Sequence, residues 1–74
     1  MRKTIRQYRE ERGWTQLELA NKLEVTPATV YTWERGRNEP RVAQLRKMAE
    51  LFGVLMDDFE LPEVERPVKI LAAA

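Results

Sequence analysis

Two helix-start signals stand so close together that they constrain the fold more than anything else in the chain. Thr15-Gln16-Leu17-Glu18 is a capping-box pattern. The Thr15 hydroxyl can satisfy a free N–H of the first turn, and Glu18 can reach back to the N–H of the cap. The next signal is Thr26, followed by Pro27. Proline is well placed at a first helical position, because the N–H it lacks has no partner there anyway. A helix starting at Gln16 must therefore end near Leu23. Only Glu24, Val25 and Thr26 separate it from a second helix, which runs to about Arg35 before Gly36 ends it. So short a link holds the two helices at a steep crossing angle. Close crossing needs a small residue on one helix and apolar anchors on the other. Ala20 meets the first need, and Val30 and Trp33 meet the second.

The remaining elements follow from the same punctuation. Thr4 to Arg12 reads as a first helix, with Ile5, Tyr8 and Arg12 on one face and Gly13 as the residue that ends it. In the helix after Thr15, Leu19, Ala20 and Leu23 face inward. Arg37-Asn38-Glu39-Pro40 is a loop. A fourth helix spans roughly Val42 to Phe52, with Val42, Leu45, Met48, Ala49 and Phe52 on one stripe, and Gly53 closes it. A short fifth helix is expected over Met56 to Phe59. Beyond Leu61, Pro62 and Pro67 interrupt any helix. Val64, Val68 and Ile70 have the even spacing of an edge strand, and an untethered tail is the equal alternative. The expectation is an all-α, compact five-helix domain over residues 1–60 and a tail or dimerisation segment over residues 61–74.

Composition narrows the chemistry. A chain of 74 residues has room for one small domain. It has no cysteine, which excludes a disulfide framework and a thiolate zinc site, and no histidine, which removes the commonest general base and metal ligand. No paired-carboxylate cleft pattern, Gly-rich phosphate loop or metal-ligand cluster accompanies the acidic residues, so neither an enzyme nor a cofactor or metal site is expected. No apolar run approaches membrane-spanning length and the N-terminus lacks a secretory h-region, so a cytoplasmic protein with no membrane partner is expected. The net charge of +1 hides an asymmetry: residues 1–47 hold 11 basic and 6 acidic side chains, residues 48–74 hold 2 and 6. A basic part set against an acidic remainder suits binding to a polyanion, though a mixed solvated surface has the same composition.

The two closely joined helices have the geometry of a helix-turn-helix, in which the second helix docks in the major groove of DNA. With Val30 and Trp33 turned inward, Pro27, Ala28, Tyr31, Thr32 and Arg35 lie on the outer face of that helix, which is free of carboxylates along its reading surface. Trp33 is therefore a core residue and not a stacking platform. The run Gln16-Leu17-Glu18-Leu19-Ala20, then Val25-Thr26-Pro27-Ala28-Thr29-Val30, then Trp33-Glu34-Arg35-Gly36-Arg37 and Pro40 resembles the phage-repressor and Cro-like (Xre) family of helix-turn-helix regulators over about residues 4–59. The resemblance implies a five-helix bundle and sequence-specific binding of double-stranded DNA by a transcriptional regulator, a repressor by family habit. It implies that Gln16 meets a backbone phosphate, helped by the N–H groups of its helix. Base-edge contact falls to Pro27, Ala28 and Thr32, sometimes to Tyr31, and Arg37 and Asn38 grip a phosphate beyond the motif. It further implies a structural ion pair between Arg9 and Glu34. Arg35 is a candidate for phosphate or base contact. Arg2, Lys3 and Arg6 are within reach of the DNA backbone, with a solvated N-terminus the favoured reading.

Two departures from the family pattern carry consequences. Pro27 and Ala28 stand where long polar side chains often do, and neither can make a bidentate bond to a base. Specificity is then expected from Thr29, Tyr31, Thr32, apolar contact with thymine methyls, and DNA shape. Glu24 stands where the turn usually needs glycine or another residue tolerant of positive φ, at a cost of about 1 kcal/mol. A homodimer is expected through Leu51, Leu55 and the C-terminal segment, including Val64, Val68, Ile70 and Leu71, since a single half-site is short. The alternative functional reading is an antitoxin-like component that binds both DNA and an unidentified protein partner through its acidic end. A helical interaction domain that has lost DNA binding is a third.

Overall fold

The computed structural model describes residues 2–62, which form four α-helices: α1 (Ile5–Glu11), α2 (Gln16–Leu23), α3 (Pro27–Arg35) and α4 (Val42–Phe52). Each of the first three starts at a threonine. Thr4, Thr15 and Thr26 accept from the backbone N–H three residues on, and the first two complete the reciprocal box through Gln7 and Glu18. The fifth helix expected over Met56–Phe59 is a single 3-10 turn, Met56–Asp58, so the five-helix count is corrected to four. The reason is local competition followed by long-range pairing. The Asp58 carboxylate takes the Leu55 N–H at 3.0 Å, and Phe59 turns extended. Phe59 then pairs with Lys3 in one parallel bridge, through Lys3 N–H to Asp58 O at 3.1 Å and Glu60 N–H to Lys3 O at 2.8 Å. That bridge ties the start of the domain to its end. The expected edge strand at Val64, Val68 and Ile70 lies outside the described residues, and no strand is formed among the described ones.

The core draws on every element. Ile5 and Tyr8 of α1, Leu19, Ala20 and Leu23 of α2, Val30 and Trp33 of α3, Met48, Ala49 and Phe52 of α4, and Phe59 are all buried. Ala20 is fully buried, consistent with the small residue the α2–α3 crossing requires. Tyr8 stacks on Phe52 at 5.3 Å between centroids, meets Phe59 edge-on at 5.1 Å, and donates its hydroxyl to Asp58 O at 2.8 Å. Arg12 lies just past α1, over the Phe52 ring, and donates to the Phe52 carbonyl at 2.7 Å, satisfying a free acceptor at the end of α4. Val42 does not join the inward stripe of α4: it is 61% exposed.

The turn that sets the α2–α3 angle is strained as its composition suggests. Val25 N–H bonds back to Ala20 O at 2.9 Å, and Glu24 between them adopts φ 61°, ψ 41°. This closure demands a left-handed residue. Glu24 is the only non-glycine with positive φ among the described residues. At the end of α3 the same closure, Arg37 N–H to Thr32 O at 2.9 Å, is made with Gly36 at φ 77°.

Candidate nucleic-acid interface

α3 divides its side chains cleanly. Val30 and Trp33 point into the core, while Pro27, Ala28, Tyr31 and Arg35 are exposed and Thr29 and Thr32 are half-buried. The carboxylate of α3 is withdrawn from the outer face. Arg9 of α1 donates to Glu34 through Nε at 2.7 Å and Nη2 at 3.1 Å, with the two side chains 11% and 5% exposed. The third Arg9 nitrogen, Nη1, holds Trp14 O at 2.8 Å. The hydrogen bond to Glu34 raises the Arg9 pKa above its already high ordinary value, against the opposing effect of burial. Arg9 and Glu34 thus form the expected structural pair, and it keeps negative charge off the outer face of α3.

Gln16 opens α2, half-buried, and its Nε2 donates to Glu34 Oε1 at 3.0 Å. Sequence reasoning had no signal for this bond, which joins residues 18 apart across the crossing. One amide hydrogen of Gln16 is thereby committed and one is left.

The outer hydroxyls are also partly spent. Thr32 Oγ1 donates to Thr29 O at 2.8 Å, and Thr29 Oγ1 lies 2.9 Å from Thr26 Oγ1. Thr32 therefore faces outward as an acceptor and a methyl group. Tyr31 and Arg35, one turn apart, act as a unit: Arg35 Nη1 donates to the Tyr31 hydroxyl at 3.1 Å, and its guanidinium sits 5.4 Å from the ring centroid. Beyond α3, Arg37 and Asn38 are exposed.

The structure brings Gln16, Tyr31 and Arg35 together around one cleft of about 250 Å3, with Arg6, Arg9 and Glu34. Pro27 lies at the opposite end of α3 from Arg35, roughly 12 Å along its axis, and about 6 Å from Tyr31 at the α-helical rise. Of the residues expected to pair two copies, Leu51 is half-buried against the core and Leu55 is 70% exposed. Of the tail expected to extend that contact, only Leu61 and Pro62 are described. Among the described residues no group of acidic side chains is arranged to hold a metal ion, and no helix is long and apolar enough to cross a membrane.

A family model described as Helix-turn-helix matches residues 5–59, which takes in all four helices and the 3-10 turn. Three archaeal proteins, each named an uncharacterized HTH-type transcriptional regulator, are similar along most of their length. The one from Methanothermobacter thermautotrophicus is 40% identical over 53 residues, 72% of this chain and 77% of that protein. The one from Methanocaldococcus jannaschii is 33% identical over 63 residues, 85% of this chain and 96% of that protein. The one from Archaeoglobus fulgidus is 36% identical over 58 residues, 78% and 83%. No solved structure gives a significant match.

Proposed function

Because this chain belongs to the Xre-like helix-turn-helix family, we propose that it is a sequence-specific regulator of transcription, acting as a repressor, that lays α3 in the major groove of double-stranded DNA. The observation that carries this reading is the outer face of α3. It is exposed, it contains no free carboxylate, Gln16 shares a cleft with Tyr31 and Arg35 beside it, and the exposed Arg37 and Asn38 follow directly after the helix.

The division of labour follows from the donors left over. Gln16, Arg37 and Asn38 hold phosphates and set the register of the helix. Pro27 and Ala28, with the methyl groups of Thr29 and Thr32, present apolar surface suited to thymine methyls. Thr32 Oγ1, already donating to its own helix, accepts from an exocyclic amine of adenine or cytosine. Tyr31 and Arg35 supply the donors. DNA shape supplies the rest of the discrimination.

Two copies bound about 34 Å apart on the duplex make the site long enough to be specific. The pairing surface is centred on the exposed Leu55, with Val54 and Met56 beside it in one shallow cavity. Sedimentation of the wild type and of Leu55→Glu tests it: a dimer dissociated by the substitution is expected, and a monomer in both cases overturns it.

Selection of bound sites from random duplex DNA tests the functional reading. An enriched motif of two A·T-rich half-sites is expected. Failure to enrich any sequence overturns sequence-specific binding. A strong guanine preference abolished only by replacing Pro27 or Ala28 overturns the division of labour.

A further inference from the structure

We propose that the crevice between the start of α1 and the end of α3 seats the chain's own segment Glu63-Val64-Glu65, and that this acidic segment lowers affinity for DNA of arbitrary sequence. The segment lies outside the described residues. The seat stands on the fold alone, and the effect on affinity rests on the DNA-binding reading above. The crevice, of about 210 Å3, is lined by Thr4, Ile5, Arg6, Trp33, Glu34 and Pro62.

The chain is delivered to this crevice in a fixed direction. Phe59 pairs with Lys3 in a parallel bridge, and Glu60 N–H holds Lys3 O at 2.8 Å. The backbone after Phe59 therefore sets out alongside Thr4 and Ile5, which form one wall. Leu61 packs against the core, and Pro62, the last described residue, already lines the crevice. Side chains two apart in an extended chain share a face, so Val64 follows Pro62 inward. Two residues span at most about 7 Å, which keeps Val64 at the crevice. The buried Ile5 and Trp33 offer it apolar surface.

Charge selects the same segment. Arg6 is exposed and gives only Nε, to Glu10 at 2.9 Å; both its Nη groups have no partner among the described residues. The wall carboxylate, Glu34, repels little, since Arg9 and Gln16 bond both its oxygens. Glu63 and Glu65 alternate with Val64 and so fall at the rim, beside a guanidinium suited to carboxylates. The tether at Pro62 gives this chain's own segment the advantage over a second copy's. Arg6 and Glu34 also line the cleft that holds Tyr31 and Arg35. Carboxylates seated here stand next to the outer face of α3 and repel a phosphate backbone.

The test uses the full chain. In a sample mixing labelled and unlabelled molecules, nuclear Overhauser contacts from the Val64 methyls to Ile5 and the Trp33 ring are expected within one molecule. Contacts between molecules only, or none, overturn the seat. Val64→Ser removes the apolar anchor without changing charge. It is expected to tighten binding to a duplex of arbitrary sequence several-fold at low salt, as is Glu63→Gln combined with Glu65→Gln, and both gains fade as salt rises. Tightening by the paired glutamine variant alone reports net charge and overturns screening from the seat, as does unchanged or weaker binding by both. Absence of any duplex binding by the wild type overturns the DNA reading and the screening, while the Val64 contacts still decide the seat.

Discussion

The two faces of α3 are built from the same nine residues and obey opposite rules. On the inner face every group is committed. Val30 is fully buried, Trp33 is 4% exposed, and Glu34 spends both oxygens on Arg9 and Gln16. On the outer face almost nothing is committed to another element: Pro27 and Ala28 touch solvent, Tyr31 and Arg35 hold only each other, and the hydroxyls of Thr29 and Thr32 bond within the helix or to its cap. The contrast teaches how a small domain combines rigidity with recognition. One face fixes the helix at its angle, and the other is left with donors and methyl groups that only a partner can use.

The comparison breaks first, and most visibly, at Trp33. Trp33→Ala removes a buried aromatic and should cost about 3–5 kcal/mol, which for a domain this size abolishes DNA binding through unfolding. Denaturant titration checks it, and a variant of near wild-type stability would show that the inner face is not what holds α3. Glu34→Ala leaves the Arg9 guanidinium mostly buried and unpaired, a loss of about 3–5 kcal/mol. Glu34→Ala combined with Arg9→Met should recover most of that stability, since removing both partners removes the stranded charge. Failure to recover would mean that the loss comes from Gln16 instead.

Outer-face substitutions should do the reverse. Arg35→Ala is expected to change stability by no more than about 0.5 kcal/mol while weakening binding to the selected duplex by about 1–3 kcal/mol. Thermal melts and fluorescence anisotropy together separate the two effects. A destabilised Arg35→Ala would erase the distinction between the faces. The smallest effect concerns the turn that aims α3. Glu24→Gly relieves a left-handed glutamate and should raise stability by about 1 kcal/mol, at the expense only of an exposed contact with Lys47 at 4.0 Å. The melting temperature should rise by roughly 4–8 °C, whereas a fall would refute the strained turn.

Most of the inner architecture was legible because its signals are local. Thr15, Thr26-Pro27 and Gly36 mark helix ends within a few residues, and Ala20, Val30 and Trp33 follow from the crossing those ends impose. Even the Glu24 strain was readable, from one unfavourable residue at a turn position. What escaped depends on partners distant in sequence. The expected fifth helix shortened to a 3-10 turn because Phe59 pairs with Lys3. The Gln16–Glu34 bond and the placing of Arg6 beside Arg35 arise only once α1, α2 and α3 are packed. Val42 had the right spacing for the core but is the first residue of α4 and is left exposed.

The claim that α3 meets DNA with its outer face is tested most directly by titrating a 15N-labelled chain with the selected duplex and following every backbone amide. Shifts should concentrate at Gln16 and across residues 27–38. Little change is expected in the second half of α4. Shifts centred on α4 and the Met56–Asp58 turn, or no shift at saturating duplex, would contradict it.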